Sequence, residues 1–189
     1  KAGCLADEGV YGLKLVAWFG GNAEKHLPQL IGTTLLFDAN TGMPLALLNA
    51  NAMTGLRTGA AGAIGAKYLA RPDSKAMLMV GAGNQSPFQI AAMLLVMKNI
   101  ETVMLADPFD HTLAKSRTEE ITSKVKKLLT AAGAERNFAL QPVADLENAV
   151  GASDVITTAT PSYKPMIMDG WVQPGTHFSC IGADMSGKE

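Results

Sequence analysis

The chain has 189 residues, of which 48% are hydrophobic and 17% are charged, and its formal net charge at pH 7 is -1. This composition is typical of a folded protein with a sizeable core and excludes a largely disordered chain. The mixed charges form no basic stripe, and no apolar run approaches the length of a membrane span, so we expect neither a nucleic-acid partner nor a membrane anchor.

The cysteines bear on two questions, which are the redox state of the cellular compartment and the presence of a metal site. Cys4 and Cys180 are the two cysteines, and they lie too far apart to form a metal-ligand motif, so we predict no metal site. A chain poor in cysteine and rich in methionine suits a reducing compartment, and we expect a cytoplasmic location. The chain starts at Lys1, with no long apolar signal segment and no initiator methionine, and because the methionine is missing we interpret the chain as a processed or excised piece of a longer protein.

The N-terminal third predicts a small antiparallel unit followed by a helix. Alternating apolar residues predict strands at 11–19, 32–37 and 44–48. Thr54 is the expected N-cap of a helix that runs to about Ala70, where the Arg71-Pro72-Asp73 segment stops it. We place a domain boundary inside this helix, which divides the chain into residues 1–60 and 61–189.

The remainder alternates between strand and helix patterns. Strands are predicted at 75–81, 101–107, 138–142, 155–158 and 175–182, and helices at 85–98, 111–132 and 146–150. We interpret the charged residues of the 111–132 helix, which include Glu120 and Lys124, as a solvated face. The alternation predicts an α/β fold with a Rossmann-type doubly wound parallel sheet.

A glycine-rich turn follows the 75–81 strand, in the segment Val80-Gly81-Ala82-Gly83-Asn84-Gln85-Ser86. In a dinucleotide-binding turn, Gly81 permits the tight change from strand to helix and Gly83 lets the backbone approach a pyrophosphate at the helix N-terminus. Ser86 occupies the position of the third glycine, where a small residue permits close packing of helix on strand. The turn makes a dinucleotide cofactor the first hypothesis.

Asp107 ends the next strand, 24 residues after Gly83. That separation is near the roughly 20 residues at which a carboxylate meets the adenosine ribose in such folds. A carboxylate accepts hydrogen bonds from the ribose hydroxyls and repels a 2′-phosphate, so it favours NAD over NADP. The alternative interpretation is a turn residue before Pro108.

Four further polar residues are candidates for substrate contact. Lys14 interrupts an apolar strand and Arg57 lies near a helix start, while Thr160 and Asp184 follow strand ends, where ligands bind in open parallel sheets. Lys14 could instead lie on the solvent face of an edge strand, and Arg57 could be an ordinary exposed helix residue. Asp184 could belong to a glycine-flanked turn.

Four motifs in order resemble the ornithine cyclodeaminase/mu-crystallin family, over residues from about Tyr11 to the last. They are Tyr11-Gly-Leu-Lys14-Leu-Val, Met53-Thr-Gly-Leu-Arg57-Thr-Gly-Ala-Ala, Gly81-Ala-Gly-Asn-Gln85-Ser-Pro-Phe-Gln89 and Ile181-Gly-Ala-Asp184-Met-Ser-Gly-Lys188-Glu. The turn motif looks closer to ornithine cyclodeaminases than to mu-crystallins. The chain departs from the family pattern at Gly20-Gly21-Asn22 and at Gln29, and family members extend further at both ends.

The resemblance implies a role for each matching residue. Lys14 binds the substrate carboxylate and takes part in catalysis, Arg57 lies where substrate and cofactor meet, and Asp184 is the catalytic carboxylate. The residues that match cofactor contacts are Asn84, Gln85, Asp107, Thr160 and, near the nicotinamide, Lys188. The resemblance also implies that residues 1–60 are part of an α+β substrate-binding and dimerisation domain, that residues 61–189 bind NAD, and that the protein is a homodimer.

The activity implied by the resemblance is the NAD-dependent conversion of L-ornithine to L-proline and ammonia. Two alternatives stay open. One is an NAD(P)-dependent amino-acid dehydrogenase or cyclic ketimine reductase of the same family. The other is a mu-crystallin-like protein that binds the cofactor without turnover.

Overall fold

The computed structural model of the protein describes residues 2–182. The chain forms two compact units, Lys1–Thr54 and Gly55–Glu189. The division falls inside a helix, six residues before the boundary placed at 60/61 from the sequence. The functions assigned to the two parts remain predictions.

The first unit is a four-stranded antiparallel sheet in the order β1-β2-β3-β4. Its strands are β1 (Ala2–Leu5), β2 (Val10–Trp18), β3 (Leu30–Asp38) and β4 (Pro44–Asn49), with short 3₁₀ helices at Ala6–Glu8 and Gly20–Lys25. The three strands predicted from the sequence are confirmed. Strand β1 was not predicted because its four exposed residues show no alternation of apolar and polar side chains.

One face of this sheet exposes large apolar side chains. Leu13 pairs with Leu35, and Leu35 pairs with Leu47, so the three lie across one face of the sheet. Leu13 is 42% exposed and Leu47 is 71% exposed, as is Leu15 farther along β2.

The first helix, α1 (Ala50–Leu69), begins five residues earlier than the sequence predicts. Asn49 caps it, because the Asn49 Oδ1 atom accepts a hydrogen bond from the N–H of Asn51 at 2.9 Å. The prediction that Thr54 caps the helix is wrong. Thr54 lies in the second turn, where its hydroxyl donates to the carbonyl of Ala50 at 2.6 Å.

The second unit contains a five-stranded parallel sheet in the order β7-β6-β5-β8-β9, which confirms the Rossmann-type doubly wound fold. Its strands are β5 (Ala76–Val80), β6 (Thr102–Ala106), β7 (Ala139–Pro142), β8 (Val155–Thr158) and β9 (His177–Cys180). Its other helices are α2 (Ser86–Val96), α3 (His111–Ala131) and α4 (Leu146–Gly151), with a 3₁₀ helix at Asp169–Trp171.

The sheet is covered on both faces by apolar side chains. Met77, Met79 and Leu105 point to one face and pack with residues of α1, α2 and α3. Leu78 and Ile156 point to the other face and pack with residues of α4. Helices on both faces of a parallel sheet explain why its strands are near-continuous apolar runs.

Helices α1 and α2 are in close contact along a strip of glycines. A Cβ on Gly55 would overlap the ring of Phe88, and a Cβ on Gly59 would lie 2.5 Å from the Phe88 carbonyl oxygen. A Cβ on Gly62, one further turn along α1, would lie 2.7 Å from Oε1 of Gln89. Only residues without a side chain fit at these positions.

Asp154 joins three segments at the amino end of the sheet. Its carboxylate accepts hydrogen bonds from Arg71 at 2.6 Å, from the N–H of Lys75 at 2.7 Å and from the N–H of Ala76 at 3.1 Å. Burial, the largest single influence, raises the pKa of Asp154, but the two N–H groups and the guanidinium together outweigh it and hold the pKa below its usual value.

No helix in the described residues is both long enough and apolar enough to cross a membrane.

Candidate functional site

The candidate site lies at the carboxyl ends of β5 and β8. These neighbouring strands are the point where the strand order reverses, since the chain runs from β5 outward to β6 and β7 before it returns to β8. Open α/β sheets bind ligands at this switch point, because the loops on either side diverge and leave a crevice. The glycine-rich turn follows β5, and Thr160 follows β8.

Gly81 makes the turn possible. Its φ is 107°, a left-handed conformation that favours glycine, and its N–H donates to the carbonyl of Ala106 at 2.8 Å. A Cβ on Gly81 would lie 2.6 Å from the carbonyl oxygen of Ala159, whereas a Cβ on Gly83 would meet nothing within 4 Å. Gly81 is thus required by the fold, and the space at Gly83 is open.

The turn presents unpaired donors at the start of α2. Among residues 2–182, no hydrogen-bond acceptor is recorded for the N–H groups of Gly83, Asn84 and Gln85. Successive free N–H groups at a helix N-terminus form an anion-binding site, and the helix dipole adds to the attraction. The turn therefore fits a phosphate group.

Ser86 fills the position of the third glycine. It is fully buried, and its hydroxyl donates to the carbonyl of Gly83 at 2.6 Å. The hydroxyl also satisfies a backbone acceptor of the turn, so serine adds a hydrogen bond that glycine cannot make.

Asp107 is hydrogen-bonded to the glycine-rich turn and to its own loop. Its Oδ2 accepts from the N–H of Ala82 at 3.0 Å, and its Oδ1 accepts from the N–H groups of Phe109 at 3.1 Å and Asp110 at 3.2 Å. A carboxylate has about four acceptor positions, so one position on Oδ2 remains for a ligand hydroxyl. The side chain is 8% exposed, at the edge of a cleft.

This cleft has a volume of about 630 Å³ and is mostly apolar. Pro108 and Phe109 line it on the side of β6, and Tyr163 and Met166 line it on the side of β8. A cleft with apolar walls and one carboxylate at its edge suits a flat ring attached to a sugar. The sequence did not predict these lining residues, although all follow strand ends that it did predict.

Thr160 lies beside the turn and is buried. Its Oγ1 accepts from the N–H of Ser162 at 3.3 Å and donates to Sδ of Met166 at 3.4 Å. A Cβ on Gly182 would lie 2.6 Å from the Thr160 carbonyl oxygen, so the segments after β8 and β9 are in close contact.

Lys14 lies in the first unit, on β2. The interpretation of Lys14 as an edge-strand residue is wrong, because β2 pairs with β1 on one side and β3 on the other. Its Nζ donates to Oγ1 of Thr54 at 2.6 Å, and its side chain is half-buried. A half-buried ammonium held by a hydroxyl is suited to bind a carboxylate.

The structure gives less information on the contacts of the other residues predicted to bind substrate or take part in catalysis. Arg57 is exposed on α1, and no hydrogen bond from its guanidinium to another residue of the described range 2–182 is recorded. Asp184 and Lys188 lie outside the described residues. The structure thus brings Gly81, Gly83 and Asp107 together, and the proposed roles of Arg57, Asp184 and Lys188 stay predictions.

One residue at the turn was missed by sequence reasoning. Nη1 of Arg117, on α3, donates to the carbonyl of Ala82 at 2.6 Å. No sequence signal identifies this contact, since the two residues are 35 positions apart and Arg117 lies in an amphipathic helix with many charges.

Comparison with known proteins places the chain in a family. The family model for the ornithine cyclodeaminase/mu-crystallin family matches residues 3–189. An ornithine cyclodeaminase from Agrobacterium tumefaciens is 34% identical over 185 residues, which are 97% of this chain and 48% of the relative.

Two solved structures resemble the chain over most of its length. One is the Thermococcus litoralis Delta(1)-pyrroline-2-carboxylate reductase in complex with NADH and L-proline, with TM-score 0.77 and 35% identity over 91% of this chain and 49% of that chain. The other is an archaeal alanine dehydrogenase dimer with bound NAD, with TM-score 0.74 and 38% identity over 96% of this chain and 52% of that chain.

The chain spans about half the length of the curated relatives it matches. These relatives catalyse different reactions, so they do not agree on one activity. The family model, in contrast, matches nearly all of the chain. The chain belongs to the ornithine cyclodeaminase/mu-crystallin family.

Proposed function

We propose that the protein binds NAD at the switch point and catalyses hydride transfer at the α-carbon of an amino or imino acid. The observation that carries the proposal is the set of free N–H groups at Gly83, Asn84 and Gln85, with Asp107 bonded to the same turn. The pyrophosphate would lie against these N–H groups, and the adenosine would enter the cleft beside Asp107.

Two solved relatives support NAD as the cofactor, since one holds NADH and the other NAD. The Asp107 carboxylate supports the choice of NAD over NADP, because a 2′-phosphate beside it would add a like charge to a site that already carries one. Thr160, which follows the neighbouring strand, would lie on the other side of the cofactor.

The residues proposed for the substrate have separate tasks. The ammonium of Lys14 would bind the substrate carboxylate, and the guanidinium of Arg57 would hold the same group as a rigid fork. Fixing the carboxylate orients the α-hydrogen and so contributes through positioning. When bound, NAD accepts a hydride from the α-carbon and can return it to an imine.

Asp184 is the proposed general base. An amine attacks an electrophilic carbon only in its neutral form, so a carboxylate that pairs with the side-chain ammonium of the substrate can also accept its proton. This task belongs to the proposed reaction of L-ornithine, whose side-chain amine closes the ring of L-proline while ammonia leaves. The ornithine cyclodeaminase relative supports this substrate.

A one-way reaction is the second candidate. The pyrroline-carboxylate reductase and alanine dehydrogenase structures favour it, because their identities of 35% and 38% are no lower than the 34% of the cyclodeaminase. Both candidates need the same carboxylate contacts and the same cofactor site. They differ in the net change of NADH: a one-way dehydrogenase or reductase accumulates or consumes it, whereas a cyclodeaminase leaves its amount unchanged.

The proposed assembly is a homodimer through the apolar face of the first unit. Leu13, Leu15 and Leu47 expose more apolar surface than is usual for residues of a sheet. The alanine dehydrogenase structure, a dimer, supports this assembly.

One incubation tests the reaction. The protein is incubated with L-ornithine and NAD⁺, while proline is measured by mass spectrometry and NADH by absorbance in the same sample. Proline without accumulating NADH supports the cyclodeaminase, and NADH without proline supports an amino-acid dehydrogenase. A parallel sample with a cyclic imine and NADH tests the reductase. Binding of NADH without turnover in any sample would favour the mu-crystallin-like binding protein and contradict the proposed enzyme.

A further inference from the structure

The glycine-rich turn accepts a hydrogen bond from a side chain of α3. This hydrogen bond is not part of the usual dinucleotide-binding motif. Arg117 lies in the second turn of α3, and its Nη1 donates to the carbonyl of Ala82, between the two glycines, at 2.6 Å. The Arg117 side chain is 22% exposed, so the contact is largely shielded from water. Charge-assisted hydrogen bonds of this kind are stronger than those between neutral groups.

Glu120 holds the guanidinium in place. Its two carboxylate oxygens accept from Nη2 and Nε of Arg117 at 3.1 and 3.2 Å, a fork-to-fork pair within one turn of helix. The hydrogen bonds from Arg117 lower the pKa of the Glu120 carboxyl, so the pair is charged at neutral pH. The Glu120 side chain is 61% exposed, so it lies on the solvated face of α3 as expected and pairs with Arg117 there.

The two bonds to Ala82 fix the orientation of the peptide groups around it. Its N–H donates to Asp107, and its carbonyl accepts from Arg117. In a planar trans peptide, the carbonyl and the N–H of the next residue point in opposite directions. Holding the Ala82 carbonyl toward α3 therefore directs the N–H of Gly83 away from α3.

We propose that Arg117, held by Glu120, is a positioning residue that keeps the N–H of Gly83 directed at the pyrophosphate of the bound dinucleotide. Arg117 does not touch the cofactor and acts through the peptide between Ala82 and Gly83. The inference rests on the proposed function for the identity of the ligand. It assigns part of the binding affinity to a residue outside the glycine motif, because donors that are already oriented avoid the cost of ordering on binding.

A second contact supports the same role for α3. Nζ of Lys124 lies 4.8 Å from the ring centroid of Phe88, in the first turn of α2. Arg117 and Lys124 are seven residues apart and share one face of α3. This face therefore contacts both the turn and the start of the helix that presents its donors.

Two measurements on the same variants test the inference. Hydrogen exchange of Ala82 and Ser86, whose N–H groups are hydrogen-bonded at the turn, is measured without cofactor, and the Kd for NADH is measured by fluorescence titration. Arg117→Met keeps the length of the side chain and removes its donors, Arg117→Lys restores one charged donor, and Glu120→Gln weakens the clamp. Arg71→Met is the matched control, since Arg71 also pairs with a carboxylate but at the opposite end of the sheet.

We expect Arg117→Met to speed exchange at Ala82 and Ser86 and to raise the Kd for NADH about 10-fold, because the turn must then be ordered on binding. Arg117→Lys should recover part of both losses, and Glu120→Gln should show a smaller change in the same direction. Arg71→Met should lower the melting temperature without changing either measurement.

Unchanged exchange and unchanged Kd in Arg117→Met would overturn the inference. Equal losses in Arg71→Met would also overturn it, because they would show a general effect of stability. If Arg117→Met does not fold, Glu120→Gln decides between the same outcomes. Failure of the unaltered protein to bind NADH would reject the proposed function, and the exchange of Ala82 and Ser86 would still decide whether Arg117 orders the turn.

Discussion

Oδ2 of Asp107 accepts a hydrogen bond from the N–H of Ala82 at 3.0 Å, so the acid at the end of β6 is bonded to the turn that follows β5. The residue proposed to select the cofactor therefore also holds the loop proposed to bind its phosphates. A substitution at Asp107 changes both the charge of the cleft and the order of the turn, so cofactor preference and stability are linked at this position.

Asp107→Asn tests both effects in one variant. One amide oxygen can still accept from Phe109 and Asp110, but the amide nitrogen faces the N–H of Ala82, and two donors then oppose each other. We expect a loss of about 1–3 kcal/mol in the free energy of unfolding. We also expect weaker NAD binding and a smaller preference for NAD over NADP, measured by titration with both reduced cofactors. An unchanged preference would show that the carboxylate does not select the cofactor.

Gly81→Ala and Gly83→Ala form a matched pair that distinguishes a folding role from a binding role. Alanine at 81 is strained by the φ of 107° and by the carbonyl of Ala159, so the melting temperature should fall. Alanine at 83 meets nothing within 4 Å and should leave the melting temperature nearly unchanged. Its methyl group would occupy the space proposed for the pyrophosphate, so NADH binding should weaken in the variant that remains stable.

Lys14→Met removes the ammonium proposed to hold the substrate carboxylate. We expect KM for the amino-acid substrate to rise about 10-fold to 150-fold, the range for one lost hydrogen bond to a charged group, with the Kd for NADH unchanged. Lys67→Met is the control, because Lys67 is exposed near the end of α1. A rise in the Kd for NADH as large as the rise in KM would point to a structural role for Lys14.

Asp184→Asn tests the proposed base. An amide cannot accept the proton of the substrate amine, so turnover should fall by about 10²-fold or more, the usual contribution of a general base, while NADH binds as before. The exposed Asp169 provides a control, as Asp169→Asn makes the same change of charge. Equal losses of turnover and of cofactor affinity would indicate that Asp184 is structural.

Asp154 predicts a specific response to acid. Its pKa is lower in the folded protein than the ordinary value of 3.8, so its stabilising effect is complete above that value and is lost as the pH falls through and below it. Between about pH 6 and about pH 3, the unaltered protein should lose more unfolding free energy than Asp154→Asn, as measured by urea denaturation. Asp73→Asn, a change of charge at an exposed residue, should lose as much as the unaltered protein.

The secondary structure of the second unit was predicted well from the sequence, because the signals for its strands and turns are local. The glycines, the apolar runs of the strands and the acid at Asp107 each lie within one strand-turn-helix segment, and the structure places them where those rules require. The start of α1 was misjudged because Asn49 and Thr54 are both good capping residues, and local sequence does not say which one forms the cap.

Contacts between distant segments could not be predicted in the same way. The bond from Arg117 to Ala82 depends on how α3 packs beside the turn, and the fully buried Ser86 hydroxyl depends on how α2 meets β5. Lys14 was ambiguous because the pattern of one strand does not reveal its neighbours, and β1 had no pattern of its own.

The glycine strip of α1 has a consequence for the order of folding. Glycine lowers helix stability by about 1 kcal/mol relative to alanine, and α1 contains Gly55, Gly59, Gly62 and Gly65. Its 20 residues would therefore form a poor helix in isolation, and contact with Phe88 and Gln89 supplies what the backbone lacks. We expect α1 to become ordered only once α2 has formed, so that a kinetic experiment would find its amides protected after those of α2.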